Sequence, residues 1–156
     1  MKRRSFIAGL GSAAAWPLVA RAQQGERVRR IGVLRGIDEN DPLAKTSVSA
    51  FIQARAGLGW TDGRNVRMDL RWADGGDINR IRALAQELVG LRPDIILAGT
   101  TPATAAFQRE TRTIPILFAS VGDPVASGLV ARLDRPSGNV TGFATKVPSF
   151  KIPLAS

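Results

Sequence analysis

The chain has 156 residues, 44% of them hydrophobic and 22% charged, with a formal net charge of +9. That composition belongs to a single soluble globular domain, long enough to bury a core without covalent staples. It contains neither cysteine nor histidine, which excludes disulfide frameworks, thiolate nucleophiles, the usual zinc sites and a Ser-His-Asp triad; no metal, cofactor or catalytic residue is expected.

Residues 1–22, MKRRSFIAGLGSAAAWPLVARA, have the layout of an export signal. Lys2, Arg3 and Arg4 form a basic start, an apolar stretch runs from Phe6 to Ala20, and Ala20-Arg21-Ala22 supplies a small-x-small cleavage site. The paired arginines followed by Ser5, Phe6 and Ile7 resemble a bacterial twin-arginine signal, with a Sec signal or a short buried helix as the alternatives. The stretch is too short and too rich in Gly, Ala and Ser to span a bilayer, so the expected destination is the periplasm. Lys2, Arg3, Arg4 and Arg21 carry four of the nine net charges, leaving +5 on the remainder. The other arginines are dispersed (Arg27, Arg29 and Arg30; Arg64, Arg67 and Arg71; Arg80 and Arg82), and there is no tyrosine to stack on bases. They read as a solvated basic surface, and no nucleic-acid partner is expected.

Val28–Leu34 is a short apolar run ended by Gly36 and predicts a first strand buried on both faces. Asp41-Pro42 supplies an N-cap and a first-turn proline, opening a helix to about residue 57 with Val48, Phe51 and Ile52 on one face. Arg55 and Gly57 fit that helix poorly, one as a charge near the apolar stripe and the other as a weak helix former. After the turn Gly59–Asn65, Val66, Met68, Leu70 and Trp72 alternate with Arg67, Asp69 and Arg71, which predicts a half-buried strand near a sheet edge. Asp77 can cap a helix in which Ile78, Ile81, Leu84, Ala85, Leu88 and Val89 recur at three- and four-residue spacing. Ile95–Ala98 reads as a third strand, Pro102–Glu110 as a short helix with Thr101 as its cap, and Ile114–Ser120 as a fourth strand. Asp123-Pro124 repeats the cap-plus-proline device and predicts another short helix towards Leu133, before a final strand at Val140–Phe143. Strands alternating with helices imply an α/β fold: a parallel sheet with helices on both faces, a three-layer sandwich.

In an open parallel sheet, ligands bind beyond the carboxyl ends of the strands, where the strand order reverses. Three loops qualify: Gly36–Glu39, Thr100-Thr101 and Val121–Pro124. The first amides of a helix opening at Pro102 are unpaired and its dipole favours an anion there. Thr100 adds a hydroxyl, and Gly99 allows close approach to the backbone. Asp123, whether it caps the following segment or meets a ligand, has the charge to hold an ammonium group. Thr100 and Thr101 on a carboxylate with Asp123 on an amine would give the polarity of an amino acid. Gly36, Asp38, Thr100, Thr101 and Asp123 are therefore the candidate ligand-binding residues. The carboxylate pairs Asp38/Glu39 and Asp74/Asp77 read as solvated loops or caps rather than acid–base dyads. No phosphate-loop motif occurs outside the export signal, which weighs against the rival reading of a small flavodoxin-like, nucleotide-handling protein.

Six segments in order (RRSFIAGLGSAAAWPLVARAQQ, RIGVL, LGWTDGRNV, RWADGGDINRIRALAQELV, PDIILAGTTPATAAF and TIPILFASVGDPVASGLVARLDRPSGNVTGF) resemble the periplasmic substrate-binding proteins of an uncharacterised ABC-transporter family. The resemblance covers residues 1 to about 145 and implies a type I periplasmic-binding-protein fold, two α/β lobes closing on a ligand, of which residues 23–145 form the N-terminal lobe. It also implies a non-catalytic role, delivery to an ABC permease in the inner membrane, and an amino-acid ligand, aromatic in some relatives. The loops matching Thr100-Thr101 and Val121–Pro124 would face the cleft. Two departures stand out: Lys146–Ser156 (KVPSFKIPLAS) matches no expected continuation and reads as a disordered tail, and Arg55 replaces an apolar residue. A truncated gene product would account for both, and half a cleft would bind its solute weakly.

Overall fold

A computed structural model describes residues 27–74, 76–132, 134 and 138–145. The proposed export signal (1–22) and tail (146–156) lie outside the described residues. Five strands, β1 (Arg29–Arg35), β2 (Val66–Trp72), β3 (Ile95–Ala98), β4 (Ile116–Val121) and β5 (Val140–Ala144), alternate with three helices, α1 (Pro42–Gly57), α2 (Ile78–Gly90) and α3 (Thr101–Glu110). All pairings are parallel and the strand order is β2-β1-β3-β4-β5. The order reverses between β1 and β3, so the chain has one topological switch point in its described sheet.

Side-chain partners show which helix covers which face. Arg35 on β1 donates to Ser47 of α1, whereas Arg71 on β2 donates to Glu87 of α2 through bonds of 2.9 and 2.6 Å. Register puts those two arginines on opposite faces, because Arg35 lies beside Trp72 and Leu34 beside Arg71. The α2/α3 face holds the core: Leu34, Ile96, Ala98, Ile116, Phe118 and Val140 from the sheet meet Ile81, Leu84, Ala85 and Leu88 of α2 and Ala103, Ala106 and Phe107 of α3. The α2 periodicity thus has a direct structural cause, although Ile78 at the first turn is 42% exposed. Asp77 caps α2 by accepting from Arg80 N–H at 2.9 Å. β2 is an edge strand as its alternation implies, but Asp69 is buried under α2, ion-paired to Arg30 at 3.1 Å and Arg67 at 3.5 Å.

The amino ends of β1 and β3 are tied by Asp94. Its Oδ2 accepts from Arg30 N–H at 2.8 Å and its Oδ1 lies 3.0 and 3.3 Å from the Arg27 and Arg29 guanidinium groups. The Arg30 amide, and after it the Arg29 and Arg27 side chains, hold the Asp94 carboxyl below the usual carboxylate range despite its partial desolvation.

One predicted element is absent. Among the described residues no helix follows Asp123-Pro124; residues 124–128 form turns that end at Gly128, whose φ is +70°. The Asp123 cap does form, with Oδ1 accepting from Val125 N–H at 3.1 Å and Ala126 N–H at 2.9 Å. Propagation fails because Gly128 enters the left-handed region, and because Leu129 and Val130, consecutive in sequence, are both buried. Consecutive residues do not share one helical face.

The α1 face is more thinly covered. Ala44 and Arg55 are the buried residues of α1, with Val48 and Phe51 half-buried between them, while Ile52 turns outward. That inward row puts Arg55 in a core position. Its side chain is 9% exposed, and among the described residues its single ion-pair contact is Asp62 at 3.4 Å and Nε and Nη1 have no partners. A buried cation so poorly matched is less favourable than an apolar side chain of similar volume. We therefore expect R55L to raise the unfolding free energy by about 1–3 kcal/mol. Urea denaturation would check this, and a lower midpoint in R55L would show that Arg55 is adequately compensated.

Candidate ligand site at the switch point

The carboxyl ends of β1 and β3 lie side by side, Leu34 beside Ala98, and Gly99 N–H donates to Leu34 O at 2.9 Å. Beyond them two glycines make close packing feasible. A Cβ on Gly36 would run into the Thr100 side chain, with Thr100 Cβ and Cγ2 only 3.3 Å away. A Cβ on Gly99 would lie 2.7 Å from Arg35 Nη1 and 2.8 Å from Arg35 Cδ. A side chain at Gly36 would displace Thr100, and one at Gly99 would displace the Arg35 guanidinium.

Thr100, not Thr101, is the N-cap of α3. It has extended backbone angles (φ −154°, ψ 163°), and its Oγ1 accepts from Ala103 N–H at 3.4 Å. Thr104, fully buried, returns two bonds to Thr100 O, from N–H at 3.0 Å and Oγ1–H at 2.8 Å. Pro102 at the second helical position has no amide to leave unpaired, and the Thr101 amide has no acceptor among the described residues. Thr101 lines a small depression of about 260 Å³ between the amino-terminal halves of α2 and α3, with Ile78, Ile81 and Pro102.

The structure therefore brings Gly36 and Thr100 into contact. Asp38 sits in the loop after β1, exposed, with Oδ1 accepting from Asn40 N–H at 2.7 Å. Asp123 lies on the adjoining loop after β4, exposed, with Oδ1 taken by the capping bonds. Two residues at this end were not flagged by sequence reasoning. Ser120 has φ +60°, a left-handed conformation costing a non-glycine residue about 1 kcal/mol or more, and it sits at the register shift between Phe118 and Val121. Arg35 is the other: it is 8% exposed at the end of an apolar strand, donates from Nη2 to Ser47 Oγ at 3.3 Å, and has no partner for Nε. Burial draws the Arg35 pKa below its ordinary value, partly offset by the Asp41 carboxylate, yet a guanidinium remains cationic. A charge ending an apolar run was the available signal; Ser120 gave none.

A wider depression of about 870 Å³ follows the outer flank of α3, lined by Gln108, Arg109, Leu129 and Asn139 among others. It is open and lies away from the carboxyl ends of β1 and β3. Among the described residues no cluster of three or more acidic side chains could hold a metal ion, and no helix is long and apolar enough to cross a membrane.

Comparisons with known proteins agree with this architecture. The sequence profile of the ABC transporter substrate binding protein family matches residues 30–151, and the chain belongs to that family. A curated tyrosine-binding protein from Clostridioides difficile (strain R20291) is 32% identical over 117 residues, 75% of this chain and 33% of that protein. The ligand-free, open structure of a substrate-binding protein with adhesive properties from Clostridium difficile superposes with a TM-score of 0.69 at 32% identity, over 75% of this chain and 39% of the other. A Vibrio cholerae conserved domain protein gives 0.73 at 29% identity, over 78% and 40%. A Streptococcus pneumoniae domain solved in complex with L-Trp gives 0.68 at 27%, over 75% and 38%. The fold is that of periplasmic-binding-type proteins. The chain spans about a third of the length of the curated relative it matches.

If Thr100 anchors the first turn of α3, T100A removes the cap and should lower stability by about 1 kcal/mol, whereas T100S keeps the hydroxyl and most of that stability. Equal urea midpoints for T100A and the unaltered chain would show that the Ala103 bond contributes nothing.

Proposed function

We propose that this chain provides the N-terminal, ligand-facing lobe of a solute receptor for an ABC import system, and that its solute is amino-acid-like, with aromatic amino acids first. Family membership supports the receptor role; the names of the tyrosine-binding relative and the L-Trp complex support the ligand class. The observation that carries the reading is the amino end of α3, which opens directly from the β1/β3 switch point with an unpaired Thr101 amide.

In this reading the solute's carboxylate meets the first turn of α3 and the Thr100 and Thr101 hydroxyls, with Gly36 keeping the backbone close. Asp123 meets the ammonium through Oδ2, since Oδ1 is engaged in capping. Asp38 closes the near side of the site. The role requires no catalysis and no cofactor, because the receptor only captures and releases. Residues 1–22 act as a twin-arginine export signal, and the lobe begins at residue 23. After export the receptor hands its solute to an inner-membrane permease.

Residues 23–156 taken alone offer one wall of such a cleft, so a solute bound to this segment keeps much of its surface in water and binds it weakly. Titration of residues 23–156 with L-tryptophan and L-phenylalanine should give saturable binding with a Kd of about a millimolar. Cell fractionation should place the processed chain in the periplasm. A cytoplasmic location, or no saturable response to any amino acid at tens of millimolar, would sink the receptor reading.

A further inference from the structure

Three arginines turn their side chains into the described fold, and two of them find carboxylates: Arg30 with Asp69 at 3.1 Å and Arg55 with Asp62 at 3.4 Å. Arg35 does not. No carboxylate oxygen lies within 4 Å of it among the described residues, although it is only 8% exposed. Nearby Asp41 is the N-cap of α1, and its Oδ1 already accepts from Ala44 N–H at 2.8 Å. Of the five N–H donors of the guanidinium, the described residues engage one, through Ser47 Oγ. Among the described residues Nε is buried without a partner, and Nη1 makes no hydrogen bond and is not fully buried.

Apart from the Asp41 carboxylate, its surroundings add positive rather than negative charge. The guanidinium lies over Gly99, whose missing Cβ leaves the room it occupies, and Gly99 immediately precedes the N-cap of α3. On its other side Ser47 belongs to the second turn of α1. The amino ends of a 16-residue helix and a 10-residue helix therefore both lie close to Arg35, each carrying partial positive charge. Holding an unpaired cation there is unfavourable in the free protein, and an incoming anion relieves it.

We propose that Arg35 is the anion receptor of this site, taking the carboxylate of the solute through its guanidinium between the amino ends of α1 and α3. This deepens, and rests on, the amino-acid reading given above. The planar fork of an arginine suits a carboxylate, and the bond is charge-assisted on both sides. Arg35 then fixes which end of the solute enters first, and solutes lacking a carboxylate are disfavoured.

The Arg35 Nε–Hε resonance in the 156-residue chain, assigned by its loss in R35K, reports on the guanidinium whose Nη groups make this contact. Sodium acetate at matched ionic strength and L-tryptophan should each shift it saturably, and tryptamine should not. L-tryptophan should bind about tenfold more tightly than tryptamine, a preference that falls towards unity in R35M and is partly kept in R35K. Thermal unfolding of both variants separates loss of the contact from loss of the fold. Saturable L-tryptophan shifts elsewhere with the Arg35 signal unmoved would overturn the role of Arg35 while leaving solute binding intact. An acetate response without any amino-acid response would keep the anion receptor and remove the amino-acid reading. Silence to both would remove both.

Discussion

Close packing of the β1 and β3 carboxyl ends is the constraint on which the rest of the site depends. Thr100 occupies the space that a Gly36 side chain would need, and Arg35 occupies the space that a Gly99 side chain would need. Because α1 leaves towards one face and α3 belongs to the other, the two connections diverge just beyond this contact. The amino ends of α1 and α3 stand on either side of that divergence, the electrostatic setting that favours an anion. A larger residue at either glycine would push the strands apart or displace the cation, so the packing and the chemistry are one requirement.

The two faces of the sheet carry different loads. Phe107, Phe118, Leu34, Ile81, Leu88, Ile96 and Ile116, the largest of the fully buried side chains, belong to the α2/α3 face or its helices, and stability concentrates there. On the α1 face Ile95, Leu97 and Leu117 remain half-buried, and the two poorly satisfied arginines, Arg35 on β1 and Arg55 on α1 itself, lie at that face. They differ in what their discontent accomplishes. Arg55 sits on a helix stripe away from the strand ends, where its charge has no use in the proposed function. Arg35 sits at the switch point, where an unpaired cation gives an incoming carboxylate something to bind. A thin, loosely satisfied face next to the proposed site would be a trade of stability for function.

Most of the architecture was legible because its causes are local. Apolar runs bounded by glycine and proline place β1, β3 and β4 to within two residues, and the three- and four-residue spacing from Ile81 to Leu88 sets the buried face of α2. Asp41-Pro42 and Asp77 act as caps where they stand. The short helix after Pro124 was misread because a cap and a first-turn proline start a turn as readily as a helix; Gly128 and the paired burial of Leu129 and Val130 decide the outcome. Thr100 and Thr101 were equally good caps on paper, and only the extended backbone at Thr100 separates them. Arg35 was overlooked for a different reason: its burial depends on α1 folding over it and on Gly99, more than sixty residues away, leaving it room. No local pattern carries that information.

The unpaired Thr101 amide offers the most direct test, since the whole account requires a ligand's negative end to meet the first turn of α3. Amide hydrogen exchange resolved by residue, with and without L-tryptophan near saturation, measures that contact. Slowed exchange at Thr101 and Ala103, with smaller protection at Gly36, is the predicted result. Protection confined to the α3 flank around Gln108 and Leu129, with Thr101 exchanging as freely as before, would place the solute elsewhere and contradict the site.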